Sequence, residues 1–333
     1  MCTAITYRSQ EHYFGRNLDL EYHYQESVTI TPRNYPFRFR KAGRIDSHHA
    51  MIGVAYVMDN YPLYYDAANE LGLSMAGLHF PGSAVYRPEA VRRDPIAPFE
   101  LIPWILGQCA TVSEARKRLK WLDLVDIPFS ETLPTAPLHW IVADRDEAIV
   151  VEAVRDGLRV YDNPAGVLTN NPPFDYQMTN LCNYMELSSG APENRFSEQL
   201  ALKPFSRGMG ALGLPGDFSS VSRFVKAAFL RANAVPGSTE EENVNQFFHL
   251  LNAVAMPRGC IRLDEDKYEC TVYSSCCNTD RGIYYYTTCE NSTVTAVNLY
   301  AEELDGDDLI SFPLDTTPRF RYQNRLMESN PSA

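Results

Sequence analysis

The chain begins MCTAITY, which places a cysteine directly behind the initiator methionine. The thiolate is the reactive form of cysteine, and a free thiol has a pKa near ~8.5. An α-amino group titrates near ~7.7–8.0, so removal of Met1 would attach a base to the nucleophile Cys2 itself. The simpler alternative is an inert thiol at a frayed terminus. Polar groups elsewhere in the sequence must decide between these two interpretations.

The segment FGRNLD supplies an arginine and an aspartate three residues apart, near the end of the second strand-like segment. If this segment pairs with the first, Arg16 would lie beside Cys2 and its guanidinium would favour the thiolate. The carboxylate of Asp19 could hold the α-amine and tune its proton. Taken alone, the two residues would more simply form a surface ion pair at the end of a hairpin.

Composition restricts the possible partners and the compartment. The 333 residues carry a formal net charge of −12, which disfavours nucleic acid and anionic membrane surfaces. The sequence shows neither a basic start with a long apolar run nor the roughly 18–20 apolar residues of a membrane helix. We therefore expect a soluble, cytoplasmic protein with reduced thiols. Its eight cysteines include no Cys-x-x-Cys pair, so we expect no zinc site.

Hydrophobic patterns predict strands, then helices, then strands again. Residues 3–7 and 12–17 are rich in β formers around the polar turn RSQE, which predicts a hairpin with Cys2 at its mouth. Such an order predicts one domain of mixed layers with mostly antiparallel sheets and a polar tail from about residue 322. Further strands are predicted over residues 27–31, 51–56, 74–78, 138–143, 148–154, 157–162, 267–278, 282–291 and 292–299. Helices are predicted over residues 97–108, 111–122, 220–235 and 238–254.

Two of the predicted helices carry start signals. Thr111 and Glu114 have the spacing of a capping box, in which each side chain satisfies a backbone N–H near the other residue. Ser238 and Glu241 have the same spacing at the start of the last helix.

Several longer motifs together resemble the choloylglycine hydrolase family, which includes bile salt hydrolases and penicillin V acylases among the N-terminal-nucleophile hydrolases. The resemblance covers nearly the whole chain and is greatest for the bile salt hydrolase branch. It implies an α+β fold, a four-layer αββα sandwich with two antiparallel sheets, in a single domain over residues 1–333. The motifs are YFGRNLDLEY, ITPRNY, DNYPLYYDAANELGLSMAGL, PFELIPWILGQC, LHWIVAD, GVLTNNPPFDYQ, GLPGDFSSVSRF and YSSCCN…GIYYYTT.

The resemblance also implies roles for individual residues. Cys2 would attack the amide carbonyl after removal of Met1, with Arg16 and Asp19 beside it. The oxyanion asparagine of the family falls on Asn170 in LTNN, where a side-chain N–H could stabilise a tetrahedral oxyanion. The arginine of the family falls on Arg223 in SVSRF, as a fixed positive charge. From the residues alone, an asparagine capping its loop and a snorkelling arginine are the alternatives.

One position departs from the family. MAGLHFPG places His79 where bile salt hydrolases usually have asparagine and penicillin V acylases tyrosine. In the family this residue lends its backbone N–H to the oxyanion hole, which any residue except proline can do. Its side chain faces the substrate, so the histidine leaves the substrate class open between the two branches.

A broad apolar acyl group requires a concave apolar site. The proline-punctuated segment DIPFSETLPTAPLHW offers such a wall, and family position adds four more residues; ordinary core packing is the alternative for each. The substrate-binding residues predicted in this way are Leu18, Tyr24, Met58, Tyr65, Phe129, Leu133 and Leu138.

The leaving amino acid is predicted from the triplet Ser206-Arg207-Gly208, which resembles glycine-preferring members of the family. A guanidinium pairs with a planar carboxylate in bidentate fashion and suits a tetrahedral sulfonate less well. In some family members this loop comes from a neighbouring subunit. A solvated surface arginine is the alternative.

The sequence thus predicts hydrolysis of glycine- or taurine-conjugated bile acids through a thioester on Cys2, with glycine preferred and acyl transfer to amino acids as a side activity. The alternatives are an amidase of the penicillin V acylase type and a catalytically silent bile-acid-binding protein. We expect no cofactor and no metal. The resemblance implies a homotetramer.

Overall fold

The computed structural model describes residues 1–91 and 94–324. The expected polar tail from about residue 322 lies mostly outside the described residues. The strands are β1 (Cys2–Arg8), β2 (His12–Leu20), β3 (Ser27–Thr31), β4 (Phe37–Phe39), β5 (Gly43–Ile45), β6 (Met51–Met58), β7 (Tyr61–Asn69), β8 (Ser74–His79), β9 (Asp94–Ile96), β10 (Leu122–Leu124), β11 (Leu138–Ala143), β12 (Ala148–Val154), β13 (Gly157–Asp162), β14 (Val167–Leu168), β15 (Ile261–Asp264), β16 (Lys267–Asn278), β17 (Ile283–Thr288), β18 (Thr295–Asn298) and β19 (Ile310–Pro313). The α-helices are α1 (Leu101–Leu106), α2 (Val112–Leu119), α3 (Phe174–Asn180), α4 (Ser220–Asn233) and α5 (Glu240–Asn252).

Two large antiparallel sheets form the centre of the molecule. The first sheet has the strand order β14-β1-β2-β16-β17-β18, with β15 paired to β16. The second sheet has the order β13-β12-β11-β8-β7-β6-β3-β19. In the first sheet β1 pairs with β2 from Cys2 opposite Leu18 to Arg8 opposite His12, which confirms the predicted hairpin.

Helices cover the outer face of each sheet. Phe224 of α4 and Phe247 of α5 belong to the core that also fills the space between the sheets. Leu101 of α1 and Val112 of α2 belong to a second core on the outer face of the second sheet. The order helices, sheet, sheet, helices confirms the α+β sandwich. No helix among the described residues is long and apolar enough to cross a membrane.

The local predictions differ from the structure in three helical segments. The cap of α5 is Thr239 with Glu242, one residue later than the predicted pair Ser238 and Glu241, because Thr239 is the residue with extended backbone whose hydroxyl accepts from Glu242 N. At α2 the hydroxyl of Thr111 does accept from Glu114 N, but the Glu114 carboxylate accepts from Ala110 N instead of the cap residue. The predicted helix over 97–108 is a 3₁₀ turn at Pro98–Glu100 followed by α1.

The sequence prediction omitted β7, which lies between β6 and β8 in the second sheet. A β-bulge explains the omission: Val54 of β6 pairs with Asp66 while Ala55 pairs with Tyr64, so Tyr65 is an extra residue. A bulge places consecutive residues on one face and interrupts the period-2 pattern by which strands are recognised.

Candidate active site

Cys2 is the first residue of β1 and lies inside the molecule, with 3% of its surface exposed. Its backbone N–H donates to Oδ1 of Asn170 at 2.8 Å, and its carbonyl accepts from Arg223. Met1 precedes it, and the Met1 amino group contacts Glu269 and donates to the Asp19 carbonyl at 2.9 Å. The nitrogen of Cys2, the proposed base, is therefore already held by a side-chain acceptor.

Arg223 lies on α4 and is buried against the start of β1. Its guanidinium donates to the Phe218 carbonyl at 3.0 Å, to Oγ1 of Thr3 at 2.6 Å and to Oδ1 of Asn170 at 2.8 Å. These bonds fix the charge within the site, which rules out a snorkelling side chain. Burial lowers the pKa of Arg223, and the opposing charges of Asp19 and Cys2 raise it.

Asp19 lies near the end of β2 and is fully buried. Its Oδ1 accepts from the Thr271 hydroxyl at 2.6 Å, whereas Oδ2 has no hydrogen-bond partner and lies 4.0 Å from Nη1 of Arg223. Burial raises the pKa of Asp19, and Arg223 opposes this most strongly. An unpartnered carboxylate oxygen in a buried site is a ready acceptor for an ammonium group.

Asn170 follows β14 and connects the amine side of the site to the carbonyl side. Its backbone N–H donates to the Ser220 hydroxyl at 2.9 Å, which fixes the loop on the start of α4. Its side-chain Oδ1 accepts from Cys2 and Arg223, and Nδ2 donates to the His79 carbonyl at 2.7 Å. One of the two Nδ2 hydrogens is thus engaged and the other is available to an oxyanion.

His79 ends β8 at the mouth of the cavity beside Cys2. Phe80 N donates to the Pro137 carbonyl at 2.7 Å, so the preceding pair of His79 and Leu138 is a non-hydrogen-bonded pair. The N–H and carbonyl of His79 therefore both point away from β11, towards Asn170. Partial loss of hydration and the positive charge of the chain terminus lower the pKa of the exposed His79 ring, which favours its neutral form.

Arg16 crosses from β2 of the first sheet into a gap in the second sheet. Pairing of β7 with β8 stops at Asp66 opposite Ala76, and Nη1 of Arg16 bridges the opened strands. It donates to the Tyr65 carbonyl at 2.9 Å and to the Gly77 carbonyl at 2.5 Å, while Nη2 has no partner. Burial alone would lower the pKa of Arg16, but nearby anionic groups, with Cys2 first among them, raise it. The guanidinium therefore lies within electrostatic reach of the thiol.

A cavity of about 410 Å³ opens above Cys2 and is lined largely by apolar and aromatic side chains. Phe129 is held there by Arg40, whose guanidinium lies 5.3 Å from the centre of the ring. The structure brings six of the predicted substrate residues to this cavity: Leu18, Tyr24, Tyr65, Phe129, Leu133 and Leu138.

Three predicted substrate residues do not line the cavity. Met58 is the last residue of β6, and Tyr56, two residues earlier on the same side of the strand, lines the wall instead. Ser206 and Arg207 are exposed in a loop before α4. The sequence interpretation also missed several lining residues that follow predicted ones in sequence, lie on the omitted β7 or belong to the 3₁₀ turn before α1. They include Leu20, Glu21, Tyr22, Leu63, Pro98, Phe99, Pro134 and Ala136.

Comparison with known proteins decides the family. The model of the linear amide C–N hydrolases, choloylglycine hydrolase family, matches residues 2–312. The chain belongs to this family. A bile salt hydrolase/transferase of Lactiplantibacillus plantarum is 54% identical over 324 residues, covering 97% of this chain and 100% of the relative. A bile salt hydrolase/transferase of Clostridium perfringens is 37% identical over 330 residues, covering 97% and 100%.

Two solved structures have the same fold. A variant of the conjugated bile acid hydrolase of Clostridium perfringens superposes with a TM-score of 0.90 at 36% identity and covers 97% of this chain and 100% of its own. Penicillin V acylase of Agrobacterium tumefaciens superposes with a TM-score of 0.74 at 18% identity, covering 93% and 90%. The latter likeness establishes the fold alone. The chain is thus an amide hydrolase of the choloylglycine hydrolase family.

Proposed function

We propose that this enzyme hydrolyses the amide bond of glycine- or taurine-conjugated bile acids, with Cys2 as the nucleophile after removal of Met1. The observation that supports this proposal most directly is the position of Cys2 between an apolar and a polar environment. Its side chain faces an apolar cavity, and its nitrogen faces the buried polar groups of Asn170, Arg223 and Asp19. This arrangement separates the apolar acyl group from the proton-transfer chemistry.

The first half-reaction forms a thioester. The thiol proton passes to the free α-amine of Cys2, and the sulfur attacks the amide carbonyl of the substrate. The tetrahedral oxyanion accepts from the backbone N–H of His79 and the second Nδ2 hydrogen of Asn170. As the C–N bond breaks, the α-ammonium returns its proton to the departing amine, so glycine or taurine leaves neutral at nitrogen and the acyl group stays on sulfur.

Water completes the reaction. The regenerated α-amine takes a proton from water, and the resulting hydroxide adds to the thioester. As the C–S bond breaks, the α-ammonium gives this proton to the departing sulfur, which releases the bile acid and restores the thiol and the free amine. The unpartnered Oδ2 of Asp19 holds the α-ammonium in both halves. An amino acid with a free amine can replace water in this step, which supports a side activity of acyl transfer.

The cavity supports a steroid acyl group. Its volume of about 410 Å³ and its walls of leucine, tyrosine, phenylalanine and proline suit a rigid apolar body with few polar groups. The relatives named for bile salt or conjugated bile acid hydrolysis support the same substrate class. The runner-up is a penicillin V acylase activity, which His79 in place of the usual asparagine keeps open.

A homotetramer would explain why the loop that carries Arg207 does not line the cavity of its own chain. The segment between α3 and α4 exposes Met185, Phe196, Phe205 and Leu212 at 80%, 83%, 89% and 79% of their surfaces. Apolar side chains exposed in one segment are typical of an interface. Contact with a neighbouring subunit would then bring Ser206 and Arg207 to its cavity and favour glycine conjugates.

We place the enzyme in the cytoplasm.

The test compares glycocholate, taurocholate and penicillin V on one preparation of the Met1-free protein. We expect kcat/KM to be highest for glycocholate and lowest for penicillin V. Preferred hydrolysis of penicillin V would move the enzyme to the acylase branch. Binding of bile acids without any hydrolysis would instead support a catalytically silent binding protein. Light scattering on the same sample should give the mass of four chains.

A further inference from the structure

Asp66 is a buried carboxylate that the mechanism above does not use. It lies on β7 directly after the bulged residue Tyr65, so both side chains turn towards the first sheet. Tyr65 lines the substrate cavity, whereas Asp66 does not and is 1% exposed. Asp66 therefore lies behind the active site, where it can act only through other residues.

Three hydroxyl groups of the first sheet donate to Asp66. The phenol of Tyr273 donates to Oδ1 at 2.5 Å, and the phenol of Tyr284 and the hydroxyl of Ser275 donate to Oδ2 at 2.6 Å and 3.1 Å. An ionised carboxylate is an acceptor only, so three donors favour the charged form. Burial raises the pKa of Asp66, and Arg16 opposes this more than any other group.

Asp66 and Arg16 are linked through shared neighbours. Ser275 accepts from Arg16 N at 3.1 Å with the same hydroxyl that donates to Asp66. Arg16 also donates to the carbonyl of Tyr65, the residue next to Asp66. These two hydrogen bonds hold Arg16 in place without a direct bond to Asp66. A change of charge at residue 66 therefore alters the electric field around Arg16 more than its position.

The charges around the pair come from several strands. The titratable groups that face Asp66 are Arg16 of β2, Tyr273 and Cys277 of β16 and Tyr284 of β17. Those that influence the Cys2 region are Arg16, Arg223, Asp19, the amino group of the chain terminus and Glu269, which this amino group contacts. Ionised Asp66 contributes one negative charge beside Arg16. Loss of this carboxylate would make the buried surroundings of Arg16 more positive by one charge.

We propose that Asp66 is a positioning residue that offsets the charge of Arg16 and thereby sets how strongly Arg16 favours the Cys2 thiolate. The proposal rests on Cys2 being the nucleophile, as proposed above. It does not depend on the identity of the acyl substrate. Reactivity of the Cys2 thiol towards a small reagent does not depend on the bile acid. Measuring it therefore distinguishes a failure of this proposal from a failure of the substrate assignment.

The test is the pH dependence of Cys2 alkylation by iodoacetamide in the Met1-free protein. Mass spectrometry of the N-terminal peptide reports Cys2 separately from the seven other cysteines. In Asp66→Asn the loss of a negative charge should move the midpoint of alkylation to lower pH, by on the order of one unit. The acid limb of kcat/KM for glycocholate should move in the same direction.

Glu70→Gln is the matched control. Glu70 directly follows β7 and pairs with Arg33 at 2.6 Å, so the substitution also removes one carboxylate but does not touch the active site. Its alkylation midpoint should equal that of the wild type. An Asp66→Asn midpoint that is unchanged or higher would overturn the proposal, because a merely structural role lowers turnover without shifting the midpoint downwards.

A second variant covers the case in which Asp66→Asn does not fold. Tyr273→Phe/Tyr284→Phe keeps both rings and leaves Asp66 with a single donor, so burial should protonate it. The alkylation midpoint should again fall. A midpoint equal to that of the wild type in this folded double variant would count against the proposal.

Discussion

At the scale of single residues, two of the buried polar atoms that the described part of the chain leaves unsatisfied lie at the site. Nη2 of Arg16 and Oδ2 of Asp19 are buried without hydrogen-bond partners. Such atoms cost free energy, typically about 1–3 kcal/mol each, and recur where a protein awaits a reacting group. The guanidinium lies on the thiol side of Cys2 and the carboxylate on the amine side. The unpartnered guanidinium and carboxylate atoms therefore match the thiolate and the ammonium that form when the thiol gives its proton to the amine.

Asn170→Ala tests the oxyanion and amine roles together. The variant loses the acceptor for the Cys2 nitrogen and the donor near the developing oxyanion. Because the bond from Nδ2 to the oxyanion forms only as negative charge develops, kcat should fall roughly 10²–10³-fold while KM changes little. Steady-state kinetics with glycocholate measures both constants.

Asn171→Ala is the control for this prediction. The neighbouring amide donates to the Ser83 hydroxyl at 2.7 Å and does not contact Cys2. Its kcat should stay within a few-fold of the wild type. If Asn170→Ala raises KM alone, the residue only holds substrate and the role given to it here is wrong.

At the scale of elements, the active site depends on the close approach of β2 to β16. A Cβ on Gly15 would lie 1.9 Å from the carbonyl oxygen of Ser275, so only glycine fits. Gly15→Ala should therefore lower the free energy of unfolding by roughly 1–3 kcal/mol or more. Urea unfolding measures this change. Gly216→Ala, where a Cβ meets nothing within 4 Å, should leave stability nearly unchanged.

The loop that carries Arg207 gives a second prediction at this scale. Arg207→Gly should reduce the ratio of kcat/KM for glycocholate to that for taurocholate, because the guanidinium suits a planar carboxylate better than a sulfonate. Arg195→Gly, an exposed arginine of the same segment, serves as the control. An unchanged ratio in Arg207→Gly would show that the loop does not select between glycine and taurine conjugates. It would not affect the proposed role of Cys2.

The elements also show what the sequence could and could not reveal. The β1–β2 hairpin follows alternating β formers around a polar turn, and it alone places Arg16 and Asp19 near Cys2. Asp66 could not be found in this way, because its partners Tyr273 and Tyr284 come from strands some 200 residues later. In addition, the bulge at Tyr65 interrupts the alternating pattern by which β7 could have been recognised. Met58 was assigned to the substrate site from family position alone, and the cavity wall extends only to Tyr56 on that strand.

At the scale of the whole molecule, stability should depend on pH through His12. This residue of β2 is buried between the hydroxyls of Thr6 and Thr279, at 2.7 Å and 2.8 Å. Burial lowers the pKa of His12 to about 4, compared with an ordinary value near ~6.5. Between these values the unfolded chain binds a proton that the folded chain does not, so stability falls as the pH falls through this window.

The total loss attributable to His12 between pH 6.5 and pH 4 is about 3 kcal/mol, from about 1.4 kcal/mol per unit of pKa shift. His12→Gln removes the titrating group, so its free energy of unfolding should depend less on pH over the same range. His23→Gln replaces an exposed histidine and should retain the dependence of the wild type. Equal pH dependence in His12→Gln and the wild type would contradict this explanation.

The central claim is that Cys2 acts as nucleophile with its own α-amine as base. It is tested most directly by comparing glycocholate hydrolysis by the chain that begins at Cys2 with that by the same chain carrying an uncleaved N-terminal extension. The extension turns the amine into an amide, so we predict that it abolishes hydrolysis as fully as Cys2→Ser does, while bile acid binding persists. Normal hydrolysis by the extended chain, with its Met1–Cys2 bond shown by mass spectrometry to be intact, would contradict the account.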